Sequence, residues 1–117
     1  DDDVITSGGY RIGPGEVEDC LLSHPSVRMA AVIGIPDRLR TEIVKAFIVL
    51  HDGIDASETL VTELQNHVKS RLSAHEYPRQ IEFVESLPMT ATGKIIRREL
   101  RGKIPAGSER PGNPPDH

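Results

Sequence analysis

The chain has 117 residues, 37% of them hydrophobic but only 3% aromatic and none Trp, so it is one domain or a piece of one, built on an aliphatic core. Its formal charge of −4 excludes a general nucleic-acid binder, which needs net positive charge or a broad basic face. A single cysteine, Cys20, rules out an internal disulfide and fits a reducing compartment.

No basic-then-apolar leader is present, and the longest apolar run, Met29 to Ile35, is too short to span a bilayer. A soluble, cytoplasmic protein without a membrane span is therefore expected. The chain opens on Asp1 rather than Met and passes straight into a predicted strand, which reads as a fragment of something longer. Acidic residues open it, whereas Lys94, Arg97, Arg98, Arg101 and Lys103 crowd near its end. That distribution suits a discrete anionic ligand better than a polyanion.

In chain order, Val4 to Ile12 reads as two short β-runs around a Ser7-Gly8-Gly9 turn, a hairpin signal. A dinucleotide fingerprint is excluded, since Gly13 and Gly15 are followed by Glu18 where a third glycine belongs. Pro14 suits the first turn of a helix, favoured by Glu16, Glu18 and Asp19. Val17, Cys20, Leu21 and Leu22 supply its buried stripe, and His24-Pro25 ends it. On that stripe Cys20 reads as a packed, inert thiol.

Val27 to Ile35 and Ile43 to Leu50 are β-branched apolar runs and predict two buried strands, with a polar loop from Pro36 to Glu42. Asp55 and Glu58 form a candidate capping pair for a helix on which Leu60, Val61, Leu64, Val68 and Leu72 recur at helical spacing. Lys69 and Arg71 near its C-terminal end complement the helix dipole. Tyr77-Pro78-Arg79 reads as a loop, and Gln80 to Val84 as a short strand with Ile81 and Phe83 on one side. The five histidines show no metal spacing, and no metal is assigned. Past Arg101, a Pro- and Gly-rich tail predicts disorder over 104–117.

The stretch Leu87-Pro-Met-Thr-Ala-Thr-Gly-Lys-Ile-Ile-Arg-Arg-Glu-Leu100 organises the rest. Thr90, Thr92 and Gly93 are cap and turn residues, and Ile96 and Leu100 fall four apart, so one face can pack while Arg97, Arg98 and Arg101 stay wet. This places Lys94 beside the free N–H groups of a helix start, a position that favours anions. A P-loop is excluded, because Pro88 stands where its first glycine belongs and Ile95 where Ser or Thr belongs. On these residues alone, Lys94 reads first as a solvated loop lysine.

Two separated stretches then act together. Asp2-Asp3-Val4-Ile5, Gly8-Gly9-Tyr10-Arg11-Ile12-Gly13 and Glu16-Val17-Glu18, followed by Leu87-Pro88, Thr90 and Gly93-Lys94-Ile95 with Arg97, resemble the C-terminal domain of adenylate-forming enzymes. That superfamily includes acyl-CoA synthetases, peptide-synthetase adenylation domains and luciferase. Val44-Lys-Ala-Phe-Ile-Val49 and Tyr77-Pro78-Arg79 with Ile81-Glu82-Phe83 add a likeness to medium-chain acyl-CoA synthetases. The resemblance implies an α+β fold, a short β-hairpin followed by a small mixed sheet of about three strands flanked by helices. Residues 1–103 would form a mobile C-terminal lid whose large N-terminal domain is absent from this sequence.

The implied activity is that of an ATP-dependent acid–thiol ligase, inactive as a fragment. A fatty or other carboxylic acid becomes an acyl-adenylate and is then transferred to CoA, as the lid rotates between half-reactions. Lys94 matches the adenylation lysine and Asp2 the hinge. Gly8, Gly9 and Tyr10 match the hairpin lining the pantetheine tunnel, and Arg11 an arginine near the phosphates. Arg40, Lys69, Tyr77, Pro78 and Arg79 match positions that hold the CoA nucleotide. ATP and CoA are the implied substrates, and Mg2+ would accompany ATP without being ligated by this domain. Departures are Met89, where the family often has Lys, and Gly8, where it often has Ser. Alternatives are a domain loading a carrier-protein thiol and a non-catalytic relative of the fold. Lys94 is also a candidate for reversible acetylation, which would erase its charge.

Overall fold

A computed structural model describes residues 3–102. Asp2, expected to be the hinge, and the tail expected to be disordered, 104–117, lie outside the described residues.

The chain opens as a hairpin, β1 (Ile5–Ser7) and β2 (Tyr10–Ile12), with Ile5 opposite Ile12 and Ser7 opposite Tyr10. Its two-residue turn needs positive φ at both positions, and Gly8 and Gly9 supply it at 58° and 88°, without the Cβ clash another residue would meet. Helix α1 (Pro14–Leu22) follows with Pro14 in its first turn. Val17 and Leu21 are fully buried, whereas Leu22, expected on the same stripe, is 45% exposed because it ends the helix on the solvent side.

Strands β3 (Val27–Asp37) and β4 (Thr41–Leu50) pair antiparallel from Val27 opposite Leu50 to Asp37 opposite Thr41. The expected Pro36–Glu42 loop is thus shorter than its polarity suggested. Asp37 Oδ2 accepts the N–H groups of Leu39 at 3.1 Å and Arg40 at 2.9 Å, which lets the chain reverse tightly and extends both strands. Helix α2 (Glu58–Arg71) is capped by Ser57, whose side chain accepts the Leu60 N–H, rather than by Asp55. Ser57 is one residue before the helix, the position from which a hydroxyl reaches that donor. β5 (Gln80–Phe83) runs parallel to β4, and α3 (Arg97–Gly102) closes the described chain.

These strands form one mixed five-stranded sheet. β1 and β5 meet β4 on the side away from β3, which leaves β3 as an edge among the described residues. Alternation along β3 and β4 sends side chains to both faces. Val32, Val44, Ala46 and Ile48 pack beneath Val17, Leu21, Leu60, Leu64 and Val68, together with Ile5 and Ile12 of the hairpin. On the opposite face, Ala31, Ile33, Ile43, Phe47 and Val49 pack against Leu87 and Leu100. The domain is an α+β fold whose sheet, hairpin included, carries α1 and α2 on one face and the segment from Leu87 to α3 on the other.

Candidate functional site

Lys94 sits on a small loop that the sequence braces from within. Met89 and Ile95 form an isolated antiparallel bridge. The Thr90 N–H donates to the Lys94 carbonyl at 2.8 Å and the Gly93 N–H to the Thr90 carbonyl at 2.9 Å. The Lys94 N–H donates to Thr90 Oγ1 at 3.0 Å, and that oxygen lies 3.0 Å from Thr92 Oγ1. Gly93 takes a φ of 87°, which turns the chain and aims the next side chain outward. Lys94 is exposed, and among the described residues its ammonium joins no salt bridge.

Two expectations for this stretch are corrected. The helix begins at Arg97, three residues after Lys94, and the Lys94 N–H is already bonded to Thr90, so no free helix-start donors flank the lysine. The threonine-rich turn closes on itself instead of becoming the first turn of the helix. Arg97, expected wet, is half-buried: its Nη2 lies 2.7 Å from both oxygens of Glu18 and its Nε donates to the Val32 carbonyl at 3.2 Å. Leu100 alone anchors α3 as a fully buried residue.

A second constellation lies at the hairpin. An open groove of roughly 640 Å³ is lined by Gly8, Tyr10, Arg40, Arg79 and His75. The Gly8 N–H donates to the Arg40 carbonyl at 2.9 Å, which fixes the turn against the β3–β4 loop. Tyr10 stacks on His75 with ring centroids 3.8 Å apart and planes 11° from parallel. Beside the groove, Lys69 Nζ lies 4.2 Å and Arg79 Cζ 4.9 Å from the centre of the Tyr77 ring, and Arg79 Nη1 donates to the Tyr77 hydroxyl at 2.9 Å. Cations at such distances are attracted by the ring quadrupole, so Tyr77 gathers two positive charges beside a groove that already holds Arg40.

The residues singled out from the sequence therefore divide. Gly8, Tyr10, Arg40 and Arg79 share the groove, and Lys69 and Tyr77 adjoin it through Arg79. Gly9 sits on the turn with nothing within 4 Å of where a Cβ would project. Arg11 is exposed and, between Tyr10 and Ile12, projects from the other side of β2. Pro78 is buried, its carbonyl accepting from Gln65 Nε2 at 3.0 Å, so it braces the loop.

Three features carry contacts that the sequence reading did not anticipate. His75 lines the groove; its only sequence signal is an aromatic two residues before Tyr77. Glu18, expected to be helix-start charge, is buried against Arg97. Between α1 and the segment after α2, the Glu76 charge and a hydrogen bond to it push the Glu16 pKa up. Burial pushes the Cys20 thiol up as well, in keeping with an unreactive sulfur. Among the described residues no group of three or more His, Cys, Asp or Glu is placed to hold a metal ion, and no helix is long and apolar enough to cross a membrane.

Comparison with known proteins identifies the family of the chain. The family described as AMP-binding enzyme C-terminal domain matches residues 16–94. An uncharacterized acyl–CoA ligase of Bacillus subtilis, YtcI, is 56% identical over 100 residues, covering 86% of this chain and 19% of the relative. The mouse mitochondrial acyl-coenzyme A synthetase ACSM1 is 55% identical over 104 residues, covering 87% of this chain and 18% of the relative. The crystal structure of a Brucella canis acyl-CoA synthetase superposes with a TM-score of 0.84 at 60% identity, covering 86% of this chain and 19% of that one. The chain thus spans less than one fifth of the length of these relatives.

Proposed function

As the chain belongs to the family of AMP-binding enzyme C-terminal domains, we propose that it is the lid of an ATP-dependent acyl-CoA ligase and serves two half-reactions with two faces. In the first, a carboxylate oxygen attacks the α-phosphorus of ATP, the bond to the bridging oxygen breaks, and pyrophosphate leaves. In the second, the CoA sulfur attacks the acyl carbon, the acyl–phosphate bond breaks, and AMP leaves. Activation of the acid and binding of its acyl chain would fall to a larger domain of the full-length protein, where Mg2+ would arrive with ATP.

Lys94 is assigned to the first step. Carboxylate and triphosphate repel one another as they approach, and charge grows on the leaving pyrophosphate. A compact ammonium on a flexible stem, paired with no carboxylate among the described residues, can neutralise both. The hairpin groove is assigned to the second step. The turn with no Cβ at Gly8 or Gly9 leaves room for a pantetheine arm, and Arg40, Arg79 and Lys69 supply cations for nucleotide phosphates. Asp2 would be the hinge about which one face replaces the other, and Arg11 would add a positive charge on the outer side of the hairpin. An exposed Lys94 would also be open to acetylation, which would remove the charge the first step uses.

The observation that carries the reading is separation. The segment that carries the Lys94 loop packs through Leu87, Ile95 and Leu100 in the core on one face of the sheet, whereas Ile5 and Ile12 of the glycine hairpin turn toward the core on the other. A domain that presents different chemistry after a rotation needs such an arrangement. The test is the acceptor. Full-length protein supplied with carboxylic acids, ATP and either free CoA or a pantetheinylated carrier protein should form acyl-CoA and AMP in equal amounts. Transfer only to the carrier protein, or an adenylate that is passed to neither thiol, would overturn it.

A further inference from the structure

We infer, building on the assignment of Lys94 to adenylation, that Arg97 is a positioning residue: with Glu18 it clamps the free edge of the sheet and fixes the direction of the Lys94 loop relative to the opposite layer. Val32 lies in the middle of the edge strand β3, and side chains complete its outward hydrogen bonds. Glu18 Oε2 accepts the Val32 N–H at 2.9 Å, and Arg97 Nε donates to the Val32 carbonyl at 3.2 Å. Arg97 and Glu18 then close on each other at 2.7 Å. The pair therefore occupies the place a neighbouring strand would take.

Its ends belong to different layers. Glu18 comes from α1, whose Val17 and Leu21 lie in the hairpin-side core, whereas Arg97 opens α3, whose Leu100 lies in the other. The clamp passes round the sheet edge and links the face assigned to CoA with the face assigned to adenylation. It also reaches the start of the described chain: Arg97 Nη1 lies 3.5 Å from Asp3 Oδ2, and Arg101 Nη2 donates to Asp3 Oδ1 at 2.9 Å. Only Ile95 and Ile96 separate Arg97 from Lys94, both half-buried, and the Ile96 N–H is tied to the Pro88 carbonyl at 2.9 Å. A shift of the guanidinium plane is thus passed along a short, braced connection.

Cohesion alone does not account for the choice of residues, since a buried ion pair stabilises no better than well-packed apolar groups of similar volume. A planar guanidinium holding a carboxylate and a carbonyl at once fixes direction, which a lysine cannot do. Arg97→Lys in the full-length protein keeps the charge and loses the fork. Hydrogen exchange at Gly93 and Lys94 should then accelerate roughly tenfold while α2 keeps its protection. Adenylate formation should fall about tenfold or more through kcat, with thioester formation from supplied acyl-adenylate held within about twofold.

Unchanged exchange in the Lys94 loop, or an equal fall in both half-reactions, would overturn the inference. Should Arg97→Lys fail to fold, Glu18→Gln, which keeps an acceptor for Val32, is read in the same way. Lys94→Ala measured alongside separates the two claims. If it spares adenylation, the role of Lys94 is wrong, while loop exchange still decides whether Arg97 positions it.

Discussion

Replacing Arg97 by Met would leave the Glu18 carboxylate, whose side chain is 10% exposed, with the Val32 N–H as its remaining bond at that edge. Orphaning one member of a buried pair costs about 3–5 kcal/mol. Because the Arg97 side chain keeps 20% exposure, the low end applies, about 3 kcal/mol, equivalent to roughly 12–15 °C in melting temperature for a domain of this size. Glu18→Gln alone costs less, about 1–2 kcal/mol, since an amide oxygen still accepts from Val32 and Arg97 keeps its bonds to Val32 and Asp3. The order reverses in the Arg97→Met background, where the amide is better tolerated than an unpaired carboxylate, so Glu18→Gln there becomes stabilising. Urea or thermal unfolding of the four variants, followed by circular dichroism because the chain has no Trp, gives the cycle. A cost below about 1 kcal/mol for Arg97→Met, or the same cost for Glu18→Gln in both backgrounds, would refute the reasoning.

Other outcomes follow from the same structure. Burial foremost, then Arg71, lowers the His67 pKa, opposed by a hydrogen bond to the Cys20 carbonyl and by Glu63. The unfolded chain therefore takes up a proton that the folded chain resists, so stability is complete above the unfolded value of about 6.5 and declines below it. Melting temperatures at several pH values should show His67→Gln with a shallower acid decline, and an unchanged decline would count against this. Gly93→Ala forces an alanine to a φ of 87°, at a cost of about 1–2 kcal/mol, and should lower the melting temperature and speed exchange in the Lys94 loop; an unaffected loop would contradict the strain. Gly9→Leu should leave adenylate formation intact in the full-length protein and stop transfer to CoA, and normal acyl-CoA turnover would refute the groove assignment.

Much of the architecture was legible because it rests on local patterns. The glycine pair requires positive φ wherever it falls, and Leu60, Leu64 and Val68 mark a helix face without reference to anything distant. Strands β3 and β4 followed from two β-branched runs on either side of a polar turn. Side chains that act across the sheet were the ones that escaped. Glu18 looks like any carboxylate in the N-terminal half of a helix, and Arg97 like any wet arginine beside Arg98. Only the packing of α1 and α3 on opposite faces brings them together, and nothing in their neighbourhoods announces a contact between residues so far apart in sequence. The Lys94 turn failed for another reason. Thr90 and Thr92 satisfy helix caps and tight turns equally, and the bridge between Met89 and Ile95 decides for the turn. At the groove, the resemblance named the cations, whereas His75 becomes visible only when the segment after α2 folds back against Tyr10.

The most direct measurement follows both half-reactions of the full-length protein carrying Lys94→Ala. A two-faced lid predicts that acyl-adenylate no longer forms from acid and ATP, while supplied acyl-adenylate is still converted to acyl-CoA at close to the unmodified rate. Equal loss of the two steps, or adenylation that survives without the ammonium, would contradict it.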